Sequence, residues 1–312
     1  MKNYLSINDL GNLQEAVKEA LDLKRHPYHF KTLGNQKTIC LLFFNNSLRT
    51  RLSTQKAAMN LGMDVMVMNF GSEGWQLEFE DGTIMDQGKS EHIKEAAQVV
   101  SQFCDIVAIR AFASLIDKER DEAEVVLNGF VKYANIPIVN MESSVAHPLQ
   151  ALADAITLEE NSVNDNPKVV LSWAPHPKAL PHAVANSFVE MMKLQDVEFV
   201  ITHPKGYDLD PEITKGCKIV HNQEMALENA NFVYVKNWSS YVDYGNVSTQ
   251  GTNWMMTKEK LGDAKFMHCL PVRRNVVVED AVLDGKQSLV IEQANNRIFA
   301  AQLVLKRILE HL

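Results

Sequence analysis

The chain is poor in everything that would tie it to an oxidising compartment, a membrane or a nucleic acid. Its four cysteines, Cys40, Cys104, Cys217 and Cys269, lie far apart with no C-x-x-C pair, which argues against a disulfide framework or a zinc site and suits a reducing cytoplasm. Long apolar runs are missing as well. The strongest, Ile39 to Phe44, is far too short to span a bilayer, and the opening MKNYLSINDLGNLQEAV has no apolar stretch of signal-peptide length. Positive charge is in deficit, with 31 Lys and Arg against 39 Asp and Glu and a net charge of −8, so neither a nucleic-acid backbone nor an anionic membrane surface is the expected partner. There is no G-x-G-x-x-G turn, no G-x-x-x-x-G-K-[ST] loop, no G-x-S-x-G elbow and no H-E-x-x-H helix. Dehydrogenase, ATPase, serine hydrolase and metalloprotease chemistry lose their usual support.

What remains is a soluble globular chain. Its 312 residues, 46% hydrophobic and 22% charged, are enough for two domains whose cores need no staples. Apolar side chains recur at helical spacing over Leu13 to Leu23, and Lys37 to Phe44 reads as a buried strand. A helix from Ser47 to Leu61, a strand from Asp64 to Phe70, a helix from Ser90 to Phe103 and a strand from Asp105 to Ile109 follow. A helix from Arg120 to Tyr133, a strand from Ile136 to Val139 and a helix from His147 to Glu160 lead to a polar turn at Asn161 to Pro167. The second half continues with strands at Lys168 to Ser172, Val197 to Ile201, Cys217 to Val220, Phe232 to Val235 and Phe266 to His268, and ends in a helix from Ala294 to His311. The alternation predicts an α/β fold of two doubly wound parallel-sheet domains, 1–150 and 151–293, with the C-terminal helix 294–312 packing back on the first. Ligands of such sheets bind beyond the carboxyl ends of the strands, so functional residues should follow strands.

After the first strand comes Asn46-Ser-Leu-Arg-Thr-Arg51, with hydroxyls and guanidinium groups crowded on a helix start. Free N–H groups, the helix dipole, Ser47, Thr50 and the forked Arg49 make this either a phosphate site or an ordinary N-cap with surface arginines. Arg110 ends a buried strand, where an arginine often forms half of a structural ion pair. His147-Pro-Leu-Gln150 offers an imidazole and an amide at a helix start, suited to gripping a small carbonyl or amide. Met267-His-Cys-Leu-Pro-Val-Arg-Arg274 puts Cys269 and a proline turn after a strand. Taken alone, Cys269 would be a small buried hydrophobe and Arg297 a solvated surface residue.

Together these segments resemble the carbamoyltransferase family, in which S-x-R-T-R, H-P-x-Q and H-C-L-P are the signatures of carbamoyl phosphate binding. The resemblance covers essentially the whole chain. Trp75, Arg110, Glu142, Trp173-Ala-Pro-His-Pro177, Lys236 and Arg297 fall where the branch acting on N-acylated ornithine would have them. It implies transfer of a carbamoyl group from carbamoyl phosphate to the δ-amine of the acylornithine, with no cofactor, no metal and no covalent intermediate. Ser47, Leu48, Arg49, Thr50, Arg110 and Trp75 of a neighbouring subunit would hold the phosphate. Thr50, Arg110, His147 and Arg297 would polarise the carbamoyl oxygen, Gln150 and the Leu270 carbonyl would bind the carbamoyl amide, and Cys269 would orient the attacking amine. The same resemblance implies a homotrimer with sites at subunit boundaries.

On the acceptor side, family members acting on free ornithine offer its α-ammonium an Asp followed by an S-M-G loop, whereas this chain reads Tyr234-Val-Lys-Asn-Trp-Ser-Ser-Tyr241. A lysine would repel an ammonium, but an acylated amine is neutral and leaves the α-carboxylate to Lys236 or Arg273. Glu142, His176 and Leu270 are carried over as further acylornithine contacts. In Gly88-Lys-Ser-Glu-His-Ile93 the acetyl branch looks like Glu-Glu-His-Ile, and the succinyl branch has an uncharged Pro for the first Glu. Ser90 stands there; it leaves room for a distal carboxylate and could also cap the following helix. Val277, where an acetyl-type homologue can carry a Lys, points the same way. The expectation is therefore the N-succinylornithine reaction of arginine biosynthesis in the cytoplasm, with the N-acetyl reaction as the near alternative and a catalytically silent phosphometabolite-binding regulator as the alternative of another class.

Overall fold

The computed structural model describes residues 1–162, 165–247 and 252–312. Of the polar turn expected at Asn161 to Pro167, Val163 and Asn164 lie outside the described residues. The strands are β1 (Thr38–Phe43), β2 (Asp64–Asn69), β3 (Leu77–Glu78), β4 (Glu91–His92), β5 (Ile106–Arg110), β6 (Ile138–Glu142), β7 (Lys168–Trp173), β8 (Glu198–Thr202), β9 (Lys218–Val220), β10 (Phe232–Lys236) and β11 (Lys265–Met267). One parallel sheet has the order β2-β1-β5-β6, a second has the order β11-β10-β7-β8-β9, and β3 pairs with β4 in a two-residue parallel ladder. The central strands read as unbroken apolar runs because helices cover both faces. Five consecutive residues of β1 and all of β10 are buried, whereas edge strand β2 is nowhere buried.

Each sheet reverses its winding once. The chain passes from β1 outward to β2 and then returns to the other side of β1 for β5; in the second sheet it runs from β7 to β8 and β9 and returns beside β7 for β10. A crevice opens beyond the strand ends at each such reversal. Residues Ser47 and Arg110 border the first, and His176 and Lys236 the second.

The helix Pro148–Asn161 runs between the sheets and is buried at every position from Pro148 to Leu158, including the polar Gln150, Asp154 and Thr157. Against it lies the last helix, Val290–Leu309, which reaches back to the first sheet's helices. Gln302 accepts from Asn60 (2.9 Å), Asn296 donates to Thr157 (2.9 Å) and Glu160 (2.8 Å), and Lys306 pairs with Glu19 (2.7 Å). The segment after β10 also crosses to the first half. Tyr244 Oη donates to Asp121 Oδ2 (2.9 Å), and Gly245, at φ +78°, approaches Leu115 so closely that a Cβ would lie 2.0 Å from its carbonyl oxygen.

Most strand and helix ends shift by one to three residues from the sequence reading, and three differences have a clear cause or consequence. The helix expected over Arg120 to Tyr133 is two, Lys118–Glu122 and Val125–Tyr133, because Glu124 adopts φ 47° and turns its carboxylate onto the Val145 N–H (3.2 Å). The helix expected from Ser90 starts at Ile93. His92 is its cap, its Nδ1 accepting from Lys94 N (3.2 Å), so Ser90 does not have the capping role. The last helix begins one turn early, at Val290, whose side chain is buried. Among the described residues no helix is long and apolar enough to cross a membrane.

Candidate active site

Between the two reversal points lies a cavity of about 570 Å³. Its lining includes Ser47, Arg49 and Thr50 from the start of the helix Arg49–Asn60, Arg110 and Glu142 from the ends of β5 and β6, and His147 and Gln150 from the start of the helix Pro148–Asn161. The opposite wall brings His176 after β7, Lys236 at the end of β10, and Cys269, Leu270 and Arg273 after β11, while Arg297 enters from the last helix. Phe112, Pro271 and Val272 supply apolar lining, as do Leu180, Pro181 and Val184, which fall outside every motif named above.

Three expected residues stand outside this cavity. Leu48 is the N-cap of the helix Arg49–Asn60 with its side chain 66% exposed, so any part it plays belongs to its main chain. Trp75 is 58% exposed and donates from Nε1 to Glu91 Oε2 (2.8 Å). Ser90 is exposed, and its N–H donates to the Gln76 carbonyl (3.2 Å). The β3–β4 ladder thus sets Trp75 and Ser90 side by side on one surface segment. Val277 is buried in the second sheet's apolar cluster with Val233 and Phe266 and does not line the cavity.

The cavity is strongly cationic within an acidic protein: Arg49, Arg110, Lys236, Arg273 and Arg297 face one lining carboxylate, Glu142. That carboxylate is committed. Arg110 donates to Glu142 Oε2 from Nε (2.9 Å) and Nη2 (2.8 Å), and from Nη1 to the carbonyls of Asn45 (3.2 Å) and Asn46 (2.8 Å). Arg297 Nη2 donates to Thr50 Oγ1 (2.5 Å) and lies 3.5 Å from His147 Nε2. Burial lowers the pKa of Arg49 and Arg297, and the neighbouring guanidinium groups lower both further. Lys236 is lowered by burial too; its Nζ donates to the Asn237 carbonyl (2.9 Å), leaving donor capacity for an anion.

Several buried polar atoms at the cavity have no protein partner: Arg49 Nε, His147 Nδ1, Gln150 Oε1 and Arg297 Nε. Native interiors seldom leave such groups unpaired unless something else is meant to meet them. Gln150 is informative because its other end is fixed, Nε2 donating to Asp154 Oδ1 (2.7 Å), so its carbonyl oxygen is the free acceptor. His147 is held well below the ordinary imidazole range by burial and then by Arg297 and Arg110. Its ring is neutral at physiological pH and can donate a hydrogen bond. His176 is lowered by burial, Lys236 and Arg273; its Nε2 accepts from Arg273 Nε (3.2 Å), which leaves Nδ1 to donate to the Lys178 carbonyl (2.8 Å). Burial pushes the Cys269 thiol up, which disqualifies it as a nucleophile at neutral pH. Leu270 is held at φ 48°, with its N–H donating to His268 Nδ1 (3.0 Å).

Motif reasoning missed Asp154 and Gln293, two buried side chains just behind the cavity. For Asp154 the signal was present: it stands four residues after Gln150, on the same helix face. Gln293 offered no sequence cue.

A pH consequence follows from the His147 environment. Because its folded-state pKa is depressed, His147→Asn should lower turnover without removing an inflection between pH 6 and 9. A wild-type pH–rate profile with an acid limb near 6.5 that disappears in the variant would contradict this.

Comparison with known proteins agrees with the geometry. Residues 2–160 match the family model "Aspartate/ornithine carbamoyltransferase, carbamoyl-P binding domain", and residues 181–308 match its "Asp/Orn binding domain" counterpart. The N-succinylornithine carbamoyltransferase of Bacteroides fragilis is 46% identical, with 100% of both chains covered. The N-acetylornithine carbamoyltransferase of Xanthomonas axonopodis pv. citri is 32% identical over 98% of this chain and 96% of its own. A crystal structure of a Glu-to-Ser mutant of N-acetyl-L-ornithine transcarbamylase, complexed with carbamyl phosphate and N-succinyl-L-norvaline, superposes with a TM-score of 0.92 at 32% identity, covering 99% of this chain and 100% of that one. The carbamoyltransferase fold spans the chain, and the protein belongs to the aspartate/ornithine carbamoyltransferase family.

Proposed function

We propose that the protein transfers the carbamoyl group of carbamoyl phosphate to the δ-amine of N-succinyl-L-ornithine, giving N-succinyl-L-citrulline and phosphate as a step of arginine biosynthesis. The observation that carries this reading is the pairing, in one cavity, of a guanidinium cluster with the free Gln150 carbonyl oxygen. A phosphate needs the first and a carbamoyl N–H2 needs the second.

In this reading Ser47, Arg49, Thr50, Arg110 and the main chain at Leu48 hold the phosphate at the start of the helix Arg49–Asn60, where unpaired N–H groups and the helix dipole add to the side chains. Thr50, Arg110, His147 and Arg297 converge on the carbamoyl oxygen, and the amide group is held by Gln150 Oε1 and the Leu270 carbonyl. Lys236 and Arg273 pair with the α-carboxylate, with His176 and Glu142 beside them. The neutral δ-amine, oriented by the Cys269 thiol, forms a bond to the carbamoyl carbon. The C–O bond to phosphate then breaks, and the proton lost by the amine leaves on phosphate. Cations preset around the phosphate and oxyanion stabilise charge as it develops, worth about 3–4 kcal/mol for a well-placed donor.

Residues 1–150 with the last helix serve as the carbamoyl phosphate domain and 151–293 as the acylornithine domain, a division supported by the two sheets and by the packing of the last helix on the first sheet's helices, although the second family segment includes that helix. The four free cysteines suit a cytoplasmic setting. The exposed Trp75 and Ser90 are read as reaching a neighbour's cavity in a homotrimer. Purified Trp75→Ala and Arg110→Ala proteins, each inactive, should regain activity when dissociated and reassembled together; no recovery would contradict a shared site.

The succinyl assignment is supported by the 46% identity to the succinylornithine enzyme against 32% for the acetyl enzyme, and by Ser90. A carboxylate at position 90 would repel the distal carboxylate of a succinyl group. Ser90→Glu should therefore shift the kcat/KM ratio toward N-acetylornithine by about a hundredfold, roughly 2.8 kcal/mol. An unchanged ratio would place Ser90 outside the acyl pocket.

A further inference from the structure

One turn beyond Gln150 the same helix carries a carboxylate that the reaction as described does not use. Asp154 is fully buried, and its Oδ1 accepts two hydrogen bonds at once, from Gln150 Nε2 (2.7 Å) and from Gln293 Nε2 (2.7 Å) on the last helix. Burial pushes its pKa up to about 7 against the pull of those two amides and of Tyr234.

A primary amide has one donor end and one acceptor end, and its shape is nearly the same either way round. Whatever holds the donor end decides where the acceptor end points. Asp154 takes the donor end of both glutamines. Gln150 Oε1 is left free at the cavity, and Gln293 Oε1 accepts from the His268 N–H (3.0 Å), the first residue of the His268-Cys-Leu-Pro271 turn. A single carboxylate thus sets the acceptor beside the reacting group and anchors the turn that carries Cys269 and Leu270.

We propose that Asp154 is a positioning residue which fixes the two amides in the sense that recognises the N–H2 of a carbamoyl group, and so makes the site select a carbamoyl over an acyl phosphate. This rests on the proposed carbamoyl phosphate reaction. The alternative orientation of Gln150 would present N–H2 to N–H2, a contact with two donors and no acceptor.

The test uses two phosphates of nearly equal shape. Acetyl phosphate has a methyl group where carbamoyl phosphate has the amino group, so it gains nothing from a correctly oriented Gln150. Dissociation constants of both are measured for the full-length wild type and for Asp154→Leu, Asp154→Ser and Asp154→Asn. The serine variant, too short to hold either amide but roomy enough for water, is read beside the leucine variant so that the result does not hang on the folding of one protein. The wild type should bind carbamoyl phosphate at least tenfold more tightly. In the leucine and serine variants that ratio should fall tenfold or more toward one, with acetyl phosphate affinity unchanged within about twofold, while asparagine, whose carbonyl can still accept from both amides, retains the ratio. Gln293→Leu should keep the ratio and lower kcat at least tenfold, because it frees the His268 turn but not Gln150.

Equal weakening of both phosphates, or an unchanged ratio in a folded leucine or serine variant, would overturn the proposal, as would a ratio lost equally in the asparagine variant. A wild type that binds neither phosphate would instead overturn the proposed reaction, so the two failures are distinguishable.

Discussion

Replacing Arg297 with methionine is expected to lower carbamoyl transfer by about a thousandfold while leaving the melting temperature unchanged or higher. The guanidinium is buried, its Nε has no partner, and its hydrogen bonds are to Thr50 Oγ1 and, at 3.5 Å, His147 Nε2, neither of which carries a negative charge. Arg49 and Arg110 oppose its charge, and the Glu142 carboxylate is engaged by Arg110. Taking such a charge out of water costs several kcal/mol, which the Glu142 carboxylate, shared with Arg110, offsets only in part. Methionine fills a similar volume without that cost. An anionic ligand would supply the missing counter-charge, so saturating inorganic phosphate should raise the melting temperature of the wild type more than that of the variant. A drop of more than about 5 °C, equivalent to roughly 3 kcal/mol for a chain of this size, or a loss of turnover below tenfold, would contradict the assignment.

Arg110→Ala should be equally inactive and, in contrast, less stable. Arg110 closes one end of the first sheet's reversal point: it bonds Glu142 twice, holds two carbonyls of the Asn45-Asn46 turn and lies over the Phe112 ring with 4.7 Å between the guanidinium carbon and the ring centroid. Both ion-pair partners are largely buried, at 11% and 13% exposure. Deleting one leaves the other charge uncompensated, and about 3 kcal/mol of stability should be lost with it. The turn that delivers Ser47 and Arg49 loses its anchor in the same stroke. Turnover should fall by about a thousandfold or more. Arg110→Lys keeps the charge but cannot serve three acceptors from one rigid fork, so it should recover stability only in part and activity hardly at all. Near-normal turnover in either variant, or an alanine variant as stable as the wild type, would refute the dual role.

These two arginines also mark where sequence reasoning reached and where it stopped. Strand and helix positions were legible because both sheets are covered on each face, which writes continuous apolar runs into β1, β5, β7 and β10. The motifs after those strands were legible for the same reason, since doubly wound sheets gather ligands at strand ends. Arg297 was not: its surroundings are supplied by Thr50 and His147, 247 and 150 positions away, so in isolation it resembled a surface residue. Glu142 was carried over as a substrate contact and lines the cavity, but its pairing with Arg110 through Oε2 was not legible. Ser90 looked like a helix cap, but the short β3–β4 ladder carries the chain past it and leaves capping to His92. The break at Glu124 was hidden because a tertiary hydrogen bond to Val145, not local propensity, sets it. Asp154 was legible only in part: its spacing from Gln150 put both on one helix face, but nothing local showed that it would also hold Gln293 from the last helix.

The central claim is the reaction, and one parallel assay addresses it most directly. Purified protein with carbamoyl phosphate is offered N-succinylornithine, N-acetylornithine and free ornithine, and phosphate release is followed together with ureido product. The account predicts rapid matched formation of both products with the succinyl compound, weaker turnover with the acetyl compound and essentially none with free ornithine, whose ammonium would face Lys236. Preference for free ornithine, or binding of carbamoyl phosphate without turnover of any acceptor, would contradict it.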